Sequence, residues 1–108
     1  MTAEQRNSVE HHRNLHRKIQ QRFINKVRLE IIRLLGNKCS KCGFSDIRAL
    51  EIDHVKGNGK AEREKFKSVI DNYRYILSKV ETGSKEYQCL CANCNRIKMV
   101  ENGECRKI

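Results

Sequence analysis

The sequence contains no run approaching the roughly 20 consecutive apolar residues that a membrane-spanning helix needs. Its opening stretch, MTAEQRNSVEHHRN, has no apolar core of the kind that marks a secretory signal. These absences argue against a membrane protein and lead us to expect a cytoplasmic one. Trp is also missing, and only 38% of the 108 residues are hydrophobic. A chain this short buries about two-thirds of the surface its unfolded form exposes, so its core is thin and a staple is expected. Six cysteines are present to supply one. Without a secretory signal they should stay reduced, which favours metal ligation over disulfides. No internal repeat, low-complexity segment or second domain is apparent.

Charge is abundant and unevenly spread. Lys and Arg number 23 against 13 Asp and Glu, a net +10, of which residues 1–38 carry +6. Such an excess favours a polyanionic partner, because neutralising phosphates releases their counterions, but it does so without sequence specificity.

Leu15, Ile19, Phe23, Val27, Ile31 and Leu35 recur every four residues, the pattern of an amphipathic helix that Gly36-Asn37 should end. Residues before Asn14 lack this period and are expected to fray. His11, His12 and His16 lie near that end; their spacing permits a metal, though a solvated polar face is the favoured reading. Ala49 to Val55 alternates as a short strand ending in Lys56-Gly57-Asn58-Gly59. Helical spacing returns through Phe66, Val69, Ile70, Tyr73, Ile76, Leu77 and Val80, predicting one helix over about 61–80. A second strand is expected over Tyr87–Cys91 and a short basic helix over Ala92–Val100.

Two pairs, Cys39-x-x-Cys42 and Cys91-x-x-Cys94, supply four thiolates in the arrangement of a tetrahedral zinc site, because a two-residue spacer lets both sulfurs of a pair face one ion. Two such pairs in one reduced chain are hard to assign to packing alone. Cys89 can compete as a ligand but is better read as a small buried strand residue. Cys105 has no partner at a suitable spacing. Between the pairs stands Asp53-His54, and Asn95 follows Cys94 directly. Asp53 and Asn95 offer oxygen ligands for a hard divalent ion, and His54 can accept a proton near neutral pH. These are parts for phosphodiester hydrolysis.

In combination, Cys39-x-x-Cys42, Leu50-Glu-Ile-Asp53-His54-Val55 and Leu90-Cys91-Ala-Asn-Cys94-Asn95-x-x-Lys98 resemble the four-cysteine form of the HNH endonuclease family over about residues 38–100. The resemblance implies an α+β fold: a small ββα-metal (His-Me finger) core, stapled by zinc on Cys39, Cys42, Cys91 and Cys94. It is carried by residues 38–108 with a helical insertion over about 61–80, and residues 1–37 form a basic helical extension. The resemblance further implies that His54 is the general base, that Asp53 and Asn95 hold a catalytic Mg2+ or Mn2+, and that Lys98 lies near the scissile phosphates. Arg96 and Lys56 are expected beside it as DNA contacts. Two positions depart from the family pattern. Glu86 stands where the family's middle Asn is expected, with Asn58 and Asn72 as weak substitutes, and Asn95 replaces the final His, which suits a hard ion. A phage or mobile-element origin follows by family habit, and the cytoplasm would then be the host's.

The expected activity is therefore metal-dependent cleavage of DNA, most naturally double-stranded, by nicking or by cutting both strands. The alternative is a non-catalytic zinc module that binds nucleic acid through basic helices, which leaves Asp53, His54 and Asn95 as coincidence. A zinc-stapled protein-interaction domain explains still less.

Overall fold

The computed structural model describes residues 3–103, with side chains from Glu10 onward. Four α-helices and a two-stranded antiparallel sheet make an α+β fold. They follow the order α1 (Ala3–Leu34), β1 (Leu50–His54), α2 (Gly59–Glu64), α3 (Val69–Glu81), β2 (Tyr87–Cys91) and α4 (Ala92–Glu101). No helix among the described residues is long and apolar enough to cross a membrane.

The first helix begins at Ala3 rather than near Asn14. Residues 3–13 lack an apolar period but include Ala, Glu, Gln and Arg, all strong helix formers, so propensity extends the helix where packing does not. It ends where expected: Gly36 (φ +106°) and Asn37 (φ +57°) both adopt left-handed backbone, and the Asn37 N–H donates to the Ile32 carbonyl at 3.0 Å. Only the C-terminal part of the apolar ladder is covered. Leu15, Ile19 and Phe23 are 49%, 55% and 37% exposed, whereas Val27, Ile31 and Ile32 are buried.

The single helix expected over 61–80 is two. Ser68 is extended (φ −139°, ψ 157°), and its hydroxyl accepts from the Asp71 N–H at 3.2 Å, so it caps a new helix instead of continuing the old one. The expected strands hold, β1 losing one residue at each end.

The sheet pairs Leu50 with Cys91 at one end and His54 with Tyr87 at the other. Two apolar clusters grip it. Ile32 packs with Leu50, Leu90, Cys39, Cys89 and Cys91 at the cysteine end. Val27 and Ile31 pack with Ile76, Val80 and Tyr87 beneath the histidine end. Cys89 is buried in the first cluster, as its strand position suggested.

Candidate functional site

At the cysteine end, residues 39–44 form a tight turn: the Gly43 N–H donates to the Cys39 carbonyl at 2.9 Å and the Cys39 N–H to the Phe44 carbonyl at 2.8 Å. Gly43 takes φ +78°, which favours a residue without Cβ. The second pair straddles a strand-to-helix junction. Cys91 closes β2 and also caps α4, its Sγ accepting from the Cys94 N–H at 3.4 Å. The ligand atoms of Cys39, Cys42, Cys91 and Cys94 consequently all lie within 4.8 Å of one another, a group that can hold a metal ion such as zinc. Burial would raise the Cys39 thiol, but backbone N–H groups of Cys42, Cys91 and Lys41 outweigh it and bring its pKa down to about 6. Cys94 is pushed up to about 12, chiefly by its hydrogen bond with Cys91. Metal binding must therefore displace protons from the set, Cys39 being the readiest thiolate.

At the histidine end, Asp53, His54 and Asn95 line one cavity of about 510 Å3, together with Lys60 and Arg63. His54 Nε2 lies 2.6 Å from Glu62 Oε2. Glu62, only 8% exposed, also accepts from Asn72 Nδ2 at 2.9 Å and from the Tyr87 hydroxyl. Burial would raise the Glu62 carboxyl, yet the bonds from His54, Tyr87 and Asn72 hold it below the usual range. The Tyr87 hydroxyl is raised by burial and by Glu62, and stays protonated. His54 is thus fixed by a carboxylate through Nε2, and Tyr87 meets its ring edge-on with centroids 5.0 Å apart. Gly59 lies against the other nitrogen, Nδ1: a Cβ there would stand 2.9 Å from it, and both residues line the cavity.

Asp53 is buried. Its Oδ2 accepts from Lys98 Nζ at 2.7 Å and Gln88 Nε2 at 2.9 Å, and its Oδ1 takes no hydrogen bond among the described residues. Asn95 donates Nδ2 to Glu51 Oε1 at 2.6 Å, and its Oδ1 takes no hydrogen bond among the described residues. The site can therefore offer a proton acceptor and two oxygen ligands at a single opening.

Several expected residues occupy unexpected posts. Lys98 is buried, bonded to Asp53 and, at 2.6 Å, to the His54 carbonyl, so its ammonium serves as counter-ion to the site. Arg96 and Lys56 are exposed. Of the candidates for the missing middle Asn, exposed Asn58 gives no side-chain cap bond to α2, and Asn72 reaches Glu62 rather than His54. The partner of His54 is Glu62, which no spacing rule singled out, though it is the one buried residue of α2. His11, His12 and His16 are exposed, and among the described residues the cysteine set is the one cluster of three or more His, Cys, Asp or Glu side chains that could hold a metal ion. Cys105 lies outside them. Comparison of the chain with family models, curated proteins and solved structures gives no match.

Proposed function

We propose that this chain is an HNH-type, divalent-metal-dependent DNA endonuclease, with β1, β2 and α4 as its ββα-metal core and zinc on Cys39, Cys42, Cys91 and Cys94. The observation that carries the reading is the convergence of Asp53, His54 and Asn95, which come from β1 and α4, on one cavity flanked by Lys60 and Arg63. Nothing in a merely structural zinc fold requires an imidazole to be oriented by a buried carboxylate beside two free oxygen ligands.

In this reading Lys60 and Arg63 draw a phosphate of the strand into the cavity. Glu62 holds Nε2, so His54 Nδ1 takes one proton from water as the water oxygen attacks phosphorus in line. The P–O3′ bond breaks and the 3′ oxygen gains a proton from solvent, giving a 5′-phosphate and a 3′-hydroxyl. Asp53 and Asn95 would hold Mg2+ or Mn2+, which when bound supplies electrostatic stabilisation of the developing negative charge. Lys98 holds the Asp53 carboxylate in place. Arg96 in α4 and Lys56 just after β1 are exposed and available to the flanking backbone.

Supercoiled plasmid incubated with the zinc-loaded protein tests the proposal. Nicking that requires added Mg2+ or Mn2+ and ceases when the ion is withdrawn supports it. Retarded plasmid that is never nicked, even at high protein concentration, assigns the chain instead to the non-catalytic zinc modules.

A further inference from the structure

A second cavity, about 320 Å3, lies between α2 and α3 and shares Ile52, His54 and Arg63 with the cleft already described. Its chemistry is different. Val69 and Ile76 give it apolar surface, Phe66 and Tyr73 bring aromatic rings, and Lys67 adds an exposed cation. One buried polar group lines it: Asn72, 6% exposed, donates Nδ2 to Glu62 and is thereby oriented, and its Oδ1 takes no hydrogen bond among the described residues.

We propose that this cavity is a subsite for one unstacked nucleobase of the strand whose phosphate occupies the His54 cleft. The inference rests on the preceding reading for its substrate class, and it assigns residues that the cleavage chemistry does not use. A nucleobase is a flat ring that stacks on aromatic side chains, and every base carries an N–H able to reach an acceptor such as Asn72 Oδ1. A purely hydrocarbon ligand would leave that buried carbonyl without a partner. A free inorganic anion would gain nothing from Ile76 and Phe66. The volume is at the small end of ligand sites, about 300–1,000 Å3, and suits one ring system. Arg63 lines both cavities, so it can hold the phosphate that joins the base in one to the cleavage position in the other. Extruding a base from a duplex costs a few kcal/mol, so the subsite favours strands that are already unpaired or distorted.

Fluorescence anisotropy on the zinc-loaded full chain tests this, using a labelled single-stranded oligonucleotide and an abasic strand of the same length, without added Mg2+. The parent protein should bind the base-containing strand about tenfold more tightly, the order of one stacked base. Val69→Trp fills the cavity from a position that is 58% exposed at the start of α3, and it should abolish that preference while leaving abasic binding within about twofold. Phe66→Ala removes a stacking surface and should reduce the preference; if Val69→Trp loses its helical circular dichroism, this variant decides. A parent without the preference, or a folded Val69→Trp that keeps it, overturns the subsite. Free deoxynucleoside monophosphates, added as competitors, distinguish sources: competition at micromolar levels means the cavity takes free nucleotides, contrary to the proposal. Plasmid nicking is scored in parallel. Preference without nicking overturns the nuclease reading and keeps the base site, and nicking without preference does the reverse.

Discussion

The two ends of the short hairpin are held by opposite strategies. Around Leu50 and Cys91 each half of the geometry is local: the Cys39–Cys42 turn is closed by backbone hydrogen bonds, the Cys94 N–H donates to Cys91 Sγ, and the four sulfurs lie together. Around His54 and Tyr87 it is distributed, because Glu62, Asn72 and Tyr87 come from α2, α3 and β2 and meet only when the whole chain is folded. The lesson is that the metal end can organise the fold while the histidine end reports whether it has been organised correctly. A disturbance of the first should be global, and a disturbance of the second should be confined to chemistry.

The sharpest break is Cys39→Ser or Cys94→Ser. Structural zinc contributes an apparent 10–16 kcal/mol, roughly the whole stability of a small domain or more. Helical circular dichroism should collapse and zinc stoichiometry fall. A folded variant with a full zinc complement would refute the ligand assignment. Withdrawing Mg2+ should stop cleavage while the spectrum stays unchanged.

At the other end, His54→Ala should slow nicking by about two to four orders of magnitude with DNA affinity nearly constant. Gly59→Ala sharpens the point. Alanine suits the first turn of a helix at least as well as glycine, but its Cβ would crowd Nδ1 and force the imidazole or α2 to shift, so a loss of roughly a hundredfold in rate is expected together with a small drop in melting temperature and with the helical circular dichroism retained. Cleavage at the parental rate by Gly59→Ala would mean that Nδ1 is not the reacting nitrogen.

Glu62→Gln probes the support rather than the base, and nicking should fall about ten- to a hundredfold, as for other groups that orient a functional histidine. It also has a pH signature. The folded-state pKa of Glu62 is held below its ordinary value of 4.5, so its anion contributes stability that is complete above that value and is lost as pH falls through the folded pKa. The gap in melting temperature between parent and variant should therefore be constant at pH 6–7 and narrow below about pH 4.5. A gap that persists at lower pH would mean that the carboxylate charge is not what stabilises the network.

The smallest expected effect lies on α1. Deleting residues 1–13 removes Arg6 and Arg13 but none of the groups around either end of the hairpin. The salt dependence of DNA binding should become shallower by about 0.9 in log–log slope for each phosphate that is no longer neutralised, with the maximal cleavage rate preserved. An unchanged slope would place this stretch away from the DNA.

What was legible in the sequence follows the same division. The cysteine pairs, β2, the end of α1 at Gly36 and the burial of Cys89 all depend on neighbours a few residues away, and short-range patterns record them. Glu62 was invisible because its partners stand 8, 10 and 25 residues distant, and a glutamate in a charged stretch such as AEREK looks like solvated surface. Lys98 misled for a related reason. The resemblance set it near the scissile phosphates, and only tertiary packing shows it paired with Asp53 in the interior. Asp53 is thereby a structural counter-ion as well as a candidate ligand, and Asp53→Ala would strand a buried ammonium. The ladder from Leu15 to Phe23 has the right period for burial but extends beyond the elements that cover Val27 and Ile31. Periodicity identifies a face and is silent on what lies opposite it.

One stretch of eight residues, Cys91 to Lys98, carries two of the four sulfurs, the cap of α4, Asn95 and the counter-ion of Asp53. Each successive residue of a helix is turned by about 100°, so these roles are fixed as angular phases about one axis. Inserting a single alanine after Cys94 would leave every motif residue present in the chain yet rotate both Asn95 and Lys98 by more than a quarter turn from Asp53. The Val55–Asn58 loop leads into α2 and imposes no such phase on α4. Tolerance to insertion is therefore set here by helical phase, and the first turns of α4 are a forbidden place for added length.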